Sequence, residues 1–154
     1  MTGTDRCNRF LPVLLLTAVA ACDYGPKSGS GFTLPEGDAG QGEALFAQYR
    51  CNACHEIPDR ADLRDGVTPE MTVALGGPTT RIATYGELVT SIINPSHRIA
   101  PRYRNEAFTE NDQSRMRNYN DVMTVADLAD IVAFVQQQYE LQPYDPTTYR
   151  VYAP

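Results

Sequence analysis

Three residues able to do chemistry stand close together in the stretch CNACH: Cys51, Cys54 and His55. The whole chain has only four cysteines and two histidines, so their concentration here predicts a site. Two thiols and an imidazole at this spacing suit three kinds of chemistry. These are a redox-active disulfide, a zinc site and the covalent attachment of haem.

The first two chemistries each lack something in this sequence. A thioredoxin-type pair needs a βαβ setting and a cysteine at a helix start, where the helix dipole stabilises the thiolate. Here the pair follows a predicted helix, and no strand is predicted around it. A structural zinc site needs a fourth ligand. His97 is a candidate, although the sequence has no second ligand pair.

Covalent haem attachment accounts for all three residues at once. Two thiols separated by two residues reach the two vinyl groups on one edge of a haem and form thioethers with them. The adjacent His55 then lies under the iron. We therefore expect one haem c per chain, held by Cys51 and Cys54, with His55 as an axial iron ligand.

Electron transfer also calls for a second axial ligand, and a thioether there raises the reduction potential relative to a second imidazole. Met116 lies in a predicted loop ahead of Thr124. Met123 directly precedes that helix cap, where an apolar residue more often packs as a hydrophobic staple. His97 is expected to be a loop residue that caps backbone groups. The candidates for the second ligand are Met116, Met123, Met71 and His97.

Three helices are predicted to position these residues, and each begins at a capping residue. The caps and helices are Asp38 before 39–50, Thr84 with Glu87 before 85–94, and Thr124 with Asp127 before 125–140. The last helix has apolar residues at a spacing near 3.6: Val125, Leu128, Ile131, Val132, Val135 and Tyr139. Strand signals are weak throughout, so the predicted fold is small and all-α.

The first 21 residues are predicted to be a secretory signal, in which Arg6 and Arg9 precede the short apolar run FLPVLLLTAVAA. The run ends in VAAC, which resembles the bacterial lipobox. We therefore expect cleavage before Cys22 and a lipid on its thiol. Asp23 favours retention in the inner membrane. The alternatives are a transmembrane anchor for the run and a merely buried or paired Cys22.

The rest of the chain is predicted to form three parts. Residues 22–37 are rich in Gly, Ser and Pro and form a flexible tether. Residues 38–140 form the folded domain, and 141–154 form a tail rich in Tyr and Pro. The formal net charge of −6 argues against a nucleic-acid partner. Residues 98–117 are locally basic, with five arginines against three acids, which would steer an acidic redox partner.

Over about residues 38–140 the sequence resembles the class I monohaem c-type cytochromes. Met116 and Tyr119 match the family's ligand methionine and the aromatic residue that follows it. Gly77–Pro78 matches a Gly-Pro whose proline carbonyl accepts a hydrogen bond from the ring of the proximal histidine. Three further matches lie where the family's first and last helices cross near the haem: Gly42, Phe46 and Phe134.

The resemblance implies a small cytochrome c fold, with three to five helices around one covalently bound haem and the N- and C-terminal helices crossing. It implies Met116 as the sixth iron ligand and Pro78 as the residue that orients His55. Two residues depart from the family pattern. Arg117 stands where the family has a proline, and Thr79 stands where a leucine often follows Gly-Pro.

These features predict an electron carrier rather than an enzyme. We expect it to be lipid-anchored at the periplasmic side of a bacterial membrane, the inner one, and to pass single electrons between redox protein partners. It would act as a monomer or as a subunit of a complex. One alternative is a dedicated cytochrome subunit of a periplasmic dehydrogenase or oxidase. Another is a haem enzyme or gas sensor with a displaceable sixth ligand.

Overall fold

The computed structural model describes residues 29, 31–81 and 84–143. The chain divides into two compact units, Met1–Thr33 and Leu34–Pro154. Within the first unit, the amide of Phe32 donates to the carbonyl of Gly29 at 3.0 Å. The predicted signal, Cys22 and residues 144–154 of the predicted tail lie outside the described residues.

Within the described part of the second unit there are three α-helices: α1 (Ala39–Gln48), α2 (Tyr85–Ile93) and α3 (Val125–Gln136). All three predicted caps are confirmed. The Asp38 carboxylate accepts from the amides of Gly40 and Gln41 at 2.8 and 3.2 Å. Thr84 with Glu87 and Thr124 with Asp127 each form a complete capping box. These caps satisfy amides that the first helical turn leaves unpaired.

Helices α1 and α3 cross at Gly42. A Cβ atom at this position would lie 2.0 Å from the carbonyl oxygen of Asp130 and 2.8 Å from Cβ of Phe134. Only glycine therefore lets the two backbones approach this closely. Beside the crossing, the rings of Phe46 and Phe134 meet edge to face with centroids 5.6 Å apart. The buried core is built around this contact: Phe46, Ile57, Leu88, Val89, Leu128, Ile131, Val132, Phe134 and Val135.

The structure also contains strands that the sequence did not predict. Among the described residues, six short strands form three pairs. β1 (His55–Glu56) and β2 (Val73–Ala74) are parallel, β3 (Gly77–Thr79) and β6 (Tyr139–Leu141) are parallel, and β4 (Thr109–Glu110) and β5 (Gln113–Ser114) are antiparallel. Strands of two or three residues are too short to show the alternation of apolar and polar residues that marks a strand in sequence.

The prediction of a helix over 125–140 is wrong at its C-terminal end. Helix α3 stops at Gln136, and Tyr139 belongs to β6. The chain leaves the helix because the carbonyl of Gln138 accepts from the amide of Gly77 at 2.7 Å, which draws it into pairing with β3. At the other end, Val125 is 59% exposed rather than part of the buried stripe.

The folded unit extends beyond both predicted domain boundaries. It begins at Leu34, whose amide donates to the hydroxyl of Tyr85 at 3.1 Å, ahead of the predicted start at residue 38. Gly37 also packs on α3, since a Cβ there would lie 2.2 Å from the carbonyl oxygen of Ala129. At the far end, the amide of Gln142 donates to the carbonyl of Thr79 at 2.8 Å. Residues 34–37 and 141–142 are therefore part of the domain.

Candidate functional site

A sharp turn presents the CNACH stretch just after α1. Arg50 adopts the left-handed conformation, with φ 58° and ψ 32°, which breaks the helical path. A 3-10 turn follows over Cys51–Ala53, and His55 begins strand β1. Both thiols and the imidazole thus lie on a loop that is fixed at one end by a helix and at the other by the β1–β2 pair.

Three adjoining cavities lie beside this loop, and the side chains of His55 and Met116 line all three. The cavity on the core side is almost wholly apolar and has Cys51 at its wall. Its apolar lining includes Phe46, Leu75, Leu88, Ile92, Ile131 and Val135. The structure therefore brings together the predicted attachment cysteines, the predicted proximal histidine and the preferred methionine.

The largest of the three cavities has a volume of about 250 Å³ and is lined by Cys54, Met71, Tyr103 and Phe108 as well as His55 and Met116. A water molecule in the liquid occupies roughly 30 Å³. The space is thus much larger than a single water needs. It is wide enough for a group considerably bigger than an ion.

His55 carries a buried nitrogen without a partner. Burial lowers the pKa of its imidazole, and a backbone interaction with Val73 partly offsets this effect. Nδ1 is fully buried and makes no hydrogen bond of good geometry to the described residues. An unpaired buried nitrogen of this kind is costly.

The predicted hydrogen bond from the ring of His55 to the Pro78 carbonyl is absent from the described residues, because Nδ1 has no partner there. Pro78 instead lies in β3, opposite Glu140 of β6. The neighbouring Gly77 has φ +78°, and a Cβ there would lie 3.1 Å from the side chain of Pro58. Gly77 and Pro78 thus take part in the β3–β6 pair, which connects the middle of the domain's sequence to its C-terminal segment.

The two thiols are free and protonated at neutral pH. Burial raises the pKa of Cys51 to about 11. Burial also raises the pKa of Cys54, and the carboxylate of Glu70 adds to this effect. A thioredoxin-type pair needs a thiolate whose pKa is lowered. The environment of these cysteines is the opposite, which argues against that chemistry.

The loop that carries Met116 is held by serine hydroxyls. The amide of Met116 donates to the hydroxyl of Ser114 at 3.2 Å, and the amide of Ser114 donates to the hydroxyl of Ser96 at 3.0 Å. Just upstream, Asn111 and Asp112 both have positive φ between β4 and β5. Two positive φ values in a two-residue connection are typical of a tight hairpin turn, which the sequence reading missed.

Tyr119 ties the same loop to both crossing helices. Its hydroxyl donates to the carbonyl of Tyr49 at 2.8 Å, and the two rings meet edge to face. The hydroxyl of Tyr49 in turn donates to Asp127 at 2.8 Å. Asp127 belongs to the capping box of α3, so the Met116 loop, the end of α1 and the start of α3 form one connected network.

The alternative ligands differ in where they lie. Met71 lines the largest cavity and Met123 lines the core-side cavity. The ring of His97 lies elsewhere, with Nδ1 2.8 Å from the carbonyl oxygen of Asn94, and it borders a separate hollow beside Glu87. Among the described residues, no group of three or more His, Cys, Asp or Glu side chains is placed to hold a metal ion.

Two of the five arginines in the predicted basic rim, Arg98 and Arg117, form ion pairs within the chain, as does the neighbouring Arg81. Arg81 and Arg98 both contact Glu87. Arg117 lines the smallest of the three cavities and pairs with Glu70 at 3.0 Å. These carboxylates neutralise part of the charge that the sequence placed near the expected haem edge.

Sequence reasoning missed two residues behind the loop. The side chain of Arg64 is only 15% exposed and donates to the carbonyls of Asn52 and Met71, each at 2.9 Å. The side chain of Asn52 is buried and donates to the carbonyl of Leu63 at 2.7 Å. The polar segment DRADLRDG predicts a solvated turn or a short helical piece, and it forms a 3-10 turn over Ala61–Arg64.

Among the described residues, no helix is long and apolar enough to span a bilayer. Comparison of the chain with protein-family models, with curated proteins and with solved structures finds no match.

Proposed function

We propose that this chain is a monohaem c-type cytochrome that transfers single electrons. In this proposal Cys51 and Cys54 attach the haem, and His55 and Met116 are the axial ligands of its iron. The haem is one per chain, and the chain is a carrier rather than an enzyme.

The position of Met116 supports this proposal most strongly. It lies far along the chain from the CNACH stretch, yet its side chain lines the same three cavities as His55, beside both thiols. An imidazole and a thioether that share an apolar cavity are a ligand pair suited to haem iron. Free thiols at the cavity wall fit the same group, because they are available to form thioethers with it.

A haem iron bound in this site supplies one-electron oxidation and reduction. Cys51 and Cys54 would hold the group, and the 3-10 turn fixes their spacing. Burial lowers the pKa of His55, which keeps its imidazole neutral at pH 7, the form that binds metals. The apolar lining excludes water, and the packed crossing of α1 and α3 limits movement when the charge of the site changes.

The cellular setting belongs to the same proposal. A lipid on Cys22 would anchor the domain at the periplasmic face of the bacterial inner membrane, with residues 23–33 as a tether. A tethered domain stays concentrated near its donor and acceptor, which replaces encounters from bulk solution. The partners would be redox proteins, one that reduces the haem and one that oxidises it.

The test is to export the full chain from a host that matures c-type cytochromes and to record its mass and its visible and near-infrared spectra. We expect one added porphyrin per chain and, in the oxidised protein, the weak near-infrared band of a methionine–iron bond. Met116→Ala should abolish this band. Met71→Ala and His97→Ala are matched controls and should retain it.

Four outcomes would contradict parts of this proposal. Protein without added porphyrin mass would overturn it entirely. A methionine–iron band that survives in Met116→Ala would move the sixth ligand to Met71 or Met123. Binding of carbon monoxide to the reduced wild-type protein would favour an enzyme or gas sensor with a displaceable ligand, and stoichiometric co-purification with a dehydrogenase or oxidase would favour a dedicated subunit.

A further inference from the structure

The side chain of Arg64 packs against the Cys51–His55 loop, and all three nitrogens of its guanidinium group make hydrogen bonds. Nε donates to the carbonyl of Asn52 at 2.9 Å, and Nη2 to the carbonyls of Met71 at 2.9 Å and Ala53 at 3.4 Å. Nη1 lies 3.4 Å from the hydroxyl of Thr72. The planar fork of arginine suits such a set of acceptors, whereas the compact ammonium of lysine does not.

Segment 61–72 both donates hydrogen bonds to the Cys51–His55 loop and accepts one from it. The 3-10 turn Ala61–Arg64 supplies the Leu63 carbonyl that accepts from the buried Asn52 side chain at 2.7 Å. In addition, the amide of Glu70 donates to the carbonyl of Ala53 at 2.9 Å. The Cys51–His55 loop is thus bound on its outer side by the segment 61–72.

Arg60 and Arg64 lie close together in the sequence but differ in how their positive charges are neutralised. Arg60 pairs with the carboxylates of Glu43 and Asp62 at 2.7 and 3.0 Å, which neutralise its charge. Arg64 is more buried and contacts mainly neutral carbonyls. The one carboxylate near it is that of Glu56, at 3.8 Å and 53% exposed. Much of the charge of Arg64 therefore stays uncompensated beside the loop.

We propose that Arg64 is a positioning residue for the Cys51–His55 loop and that its charge raises the reduction potential of an iron bound by His55. The second half rests on the proposed function. A nearby positive charge favours the reduced state because that state carries one positive charge less, and the effect is larger where water and salt screen weakly.

The proposed effect of the Arg64 charge on the reduction potential is tested by redox titration. The proteins compared are the wild-type holoprotein and its variants Arg64→Gln, Arg64→Lys and Arg60→Gln. Arg64→Gln should lower the equilibrium constant for one-electron reduction about tenfold, or about 59 mV. Arg64→Lys should retain most of the wild-type potential, and Arg60→Gln should leave it unchanged. An unaltered potential in Arg64→Gln, or an equal fall in Arg60→Gln, would overturn the role of the charge.

The positioning role is tested by amide hydrogen exchange across residues 51–75, which reads out whether or not a porphyrin is present. Arg64→Gln and Arg64→Lys should exchange at least tenfold faster there, because neither retains the fork, while Arg60→Gln should match the wild type. Equal exchange in all four proteins would overturn this role. If Arg64→Gln does not fold, Arg64→Lys alone decides it. Wild-type protein without porphyrin would refute the proposed function and, with it, the claim about the potential.

Discussion

Two regions of this domain are held together in different ways. The crossing of α1 and α3 is apolar and close-packed, with glycine at the contact and phenylalanine rings beside it. Two loop segments, residues 51–75 and 95–119, contain only short turns and two-residue strands, and polar side chains link them to their neighbours. The crossing supplies a rigid wall, and these loops supply the groups that could do chemistry.

The difference shows how a small domain places side chains accurately outside helices. Ser96, Ser114 and Tyr119 fix the loop of Met116, and Asn52 and Arg64 fix the loop of Cys51. Asn52 is buried and the other four are half-buried. Polar groups removed from water are usually paired, so each bond favours one arrangement of the loop. Stability of the crossing and geometry of the loops should therefore respond to different substitutions.

The largest effect is expected at the crossing. Gly42→Ala would push a methyl group to 2.0 Å from the carbonyl oxygen of Asp130, so the helices must separate. We expect a loss of about 3 kcal/mol or more in the free energy of unfolding, measured by urea denaturation. Gly86→Ala in α2, where nothing lies within 4 Å, is the matched control and should stabilise by up to about 1 kcal/mol. Equal stability of the two variants would refute close packing at Gly42.

A smaller loss is expected in the Cys51 loop. Asn52→Ala removes a buried donor to the Leu63 carbonyl and should cost about 1–3 kcal/mol. Asn94→Ala is the control, because this exposed side chain makes no hydrogen bond to the described residues, and it should change stability by less than about 0.5 kcal/mol. Thermal unfolding of both variants would measure this. If Asn52→Ala unfolds at the wild-type temperature, the loop does not depend on its polar contacts.

In the Met116 loop, Tyr119→Phe tests one hydrogen bond while keeping the ring. Losing the bond to the Tyr49 carbonyl should cost about 1 kcal/mol. The edge-to-face contact with Tyr49 should persist, so we expect the methionine–iron band of the holoprotein to remain. Loss of that band in Tyr119→Phe would mean that the hydroxyl itself, rather than the ring, sets the position of Met116.

The smallest effect is expected for the pH dependence of stability at Asp127, where the Tyr49–Tyr119 contact meets the start of α3. The capping contacts with Thr124, followed by the hydrogen bond from Tyr49, hold the pKa of Asp127 below its usual value. A carboxylate whose pKa is lower in the folded state stabilises the fold above its unfolded pKa of about 3.9, and this contribution is lost as pH falls through the folded value.

Asp127→Asn should therefore be less stable than the wild type at pH 7, and its stability should fall less steeply below about pH 4. Urea denaturation at a series of pH values measures both quantities. Parallel pH profiles for the two proteins would show that Asp127 does not couple the cap to acid stability.

The helices and most of the core were predictable because caps and the 3.6-residue period are local signals. Asp38, Thr84 and Thr124 each mark a helix start in the sequence, and each is a cap in the structure. The strands were not predictable, since β3 and β6 form through contacts between distant segments. Arg64 was missed for the same reason: nothing in its neighbourhood indicates that its side chain reaches the Asn52 carbonyl.

The site was predicted from the types of its residues, and its geometry required the structure. The CNACH spacing and the loop position of Met116 pointed to a shared cavity, while the contact from Pro78 to His55 did not appear. The assignment of a cytochrome fold and of haem stays a prediction that the spectra can decide.

The packing of α1 on α3 has a consequence for the order of events during synthesis and folding. The first helix docks on the last, so the core closes only after nearly the whole domain has emerged, and such long-range pairing is slow to form. Until then, Cys51 and Cys54 remain on an open, unburied stretch of chain. Under the proposed function, an enzyme that attaches haem to the unfolded chain would meet both sulfurs before folding partly buries them.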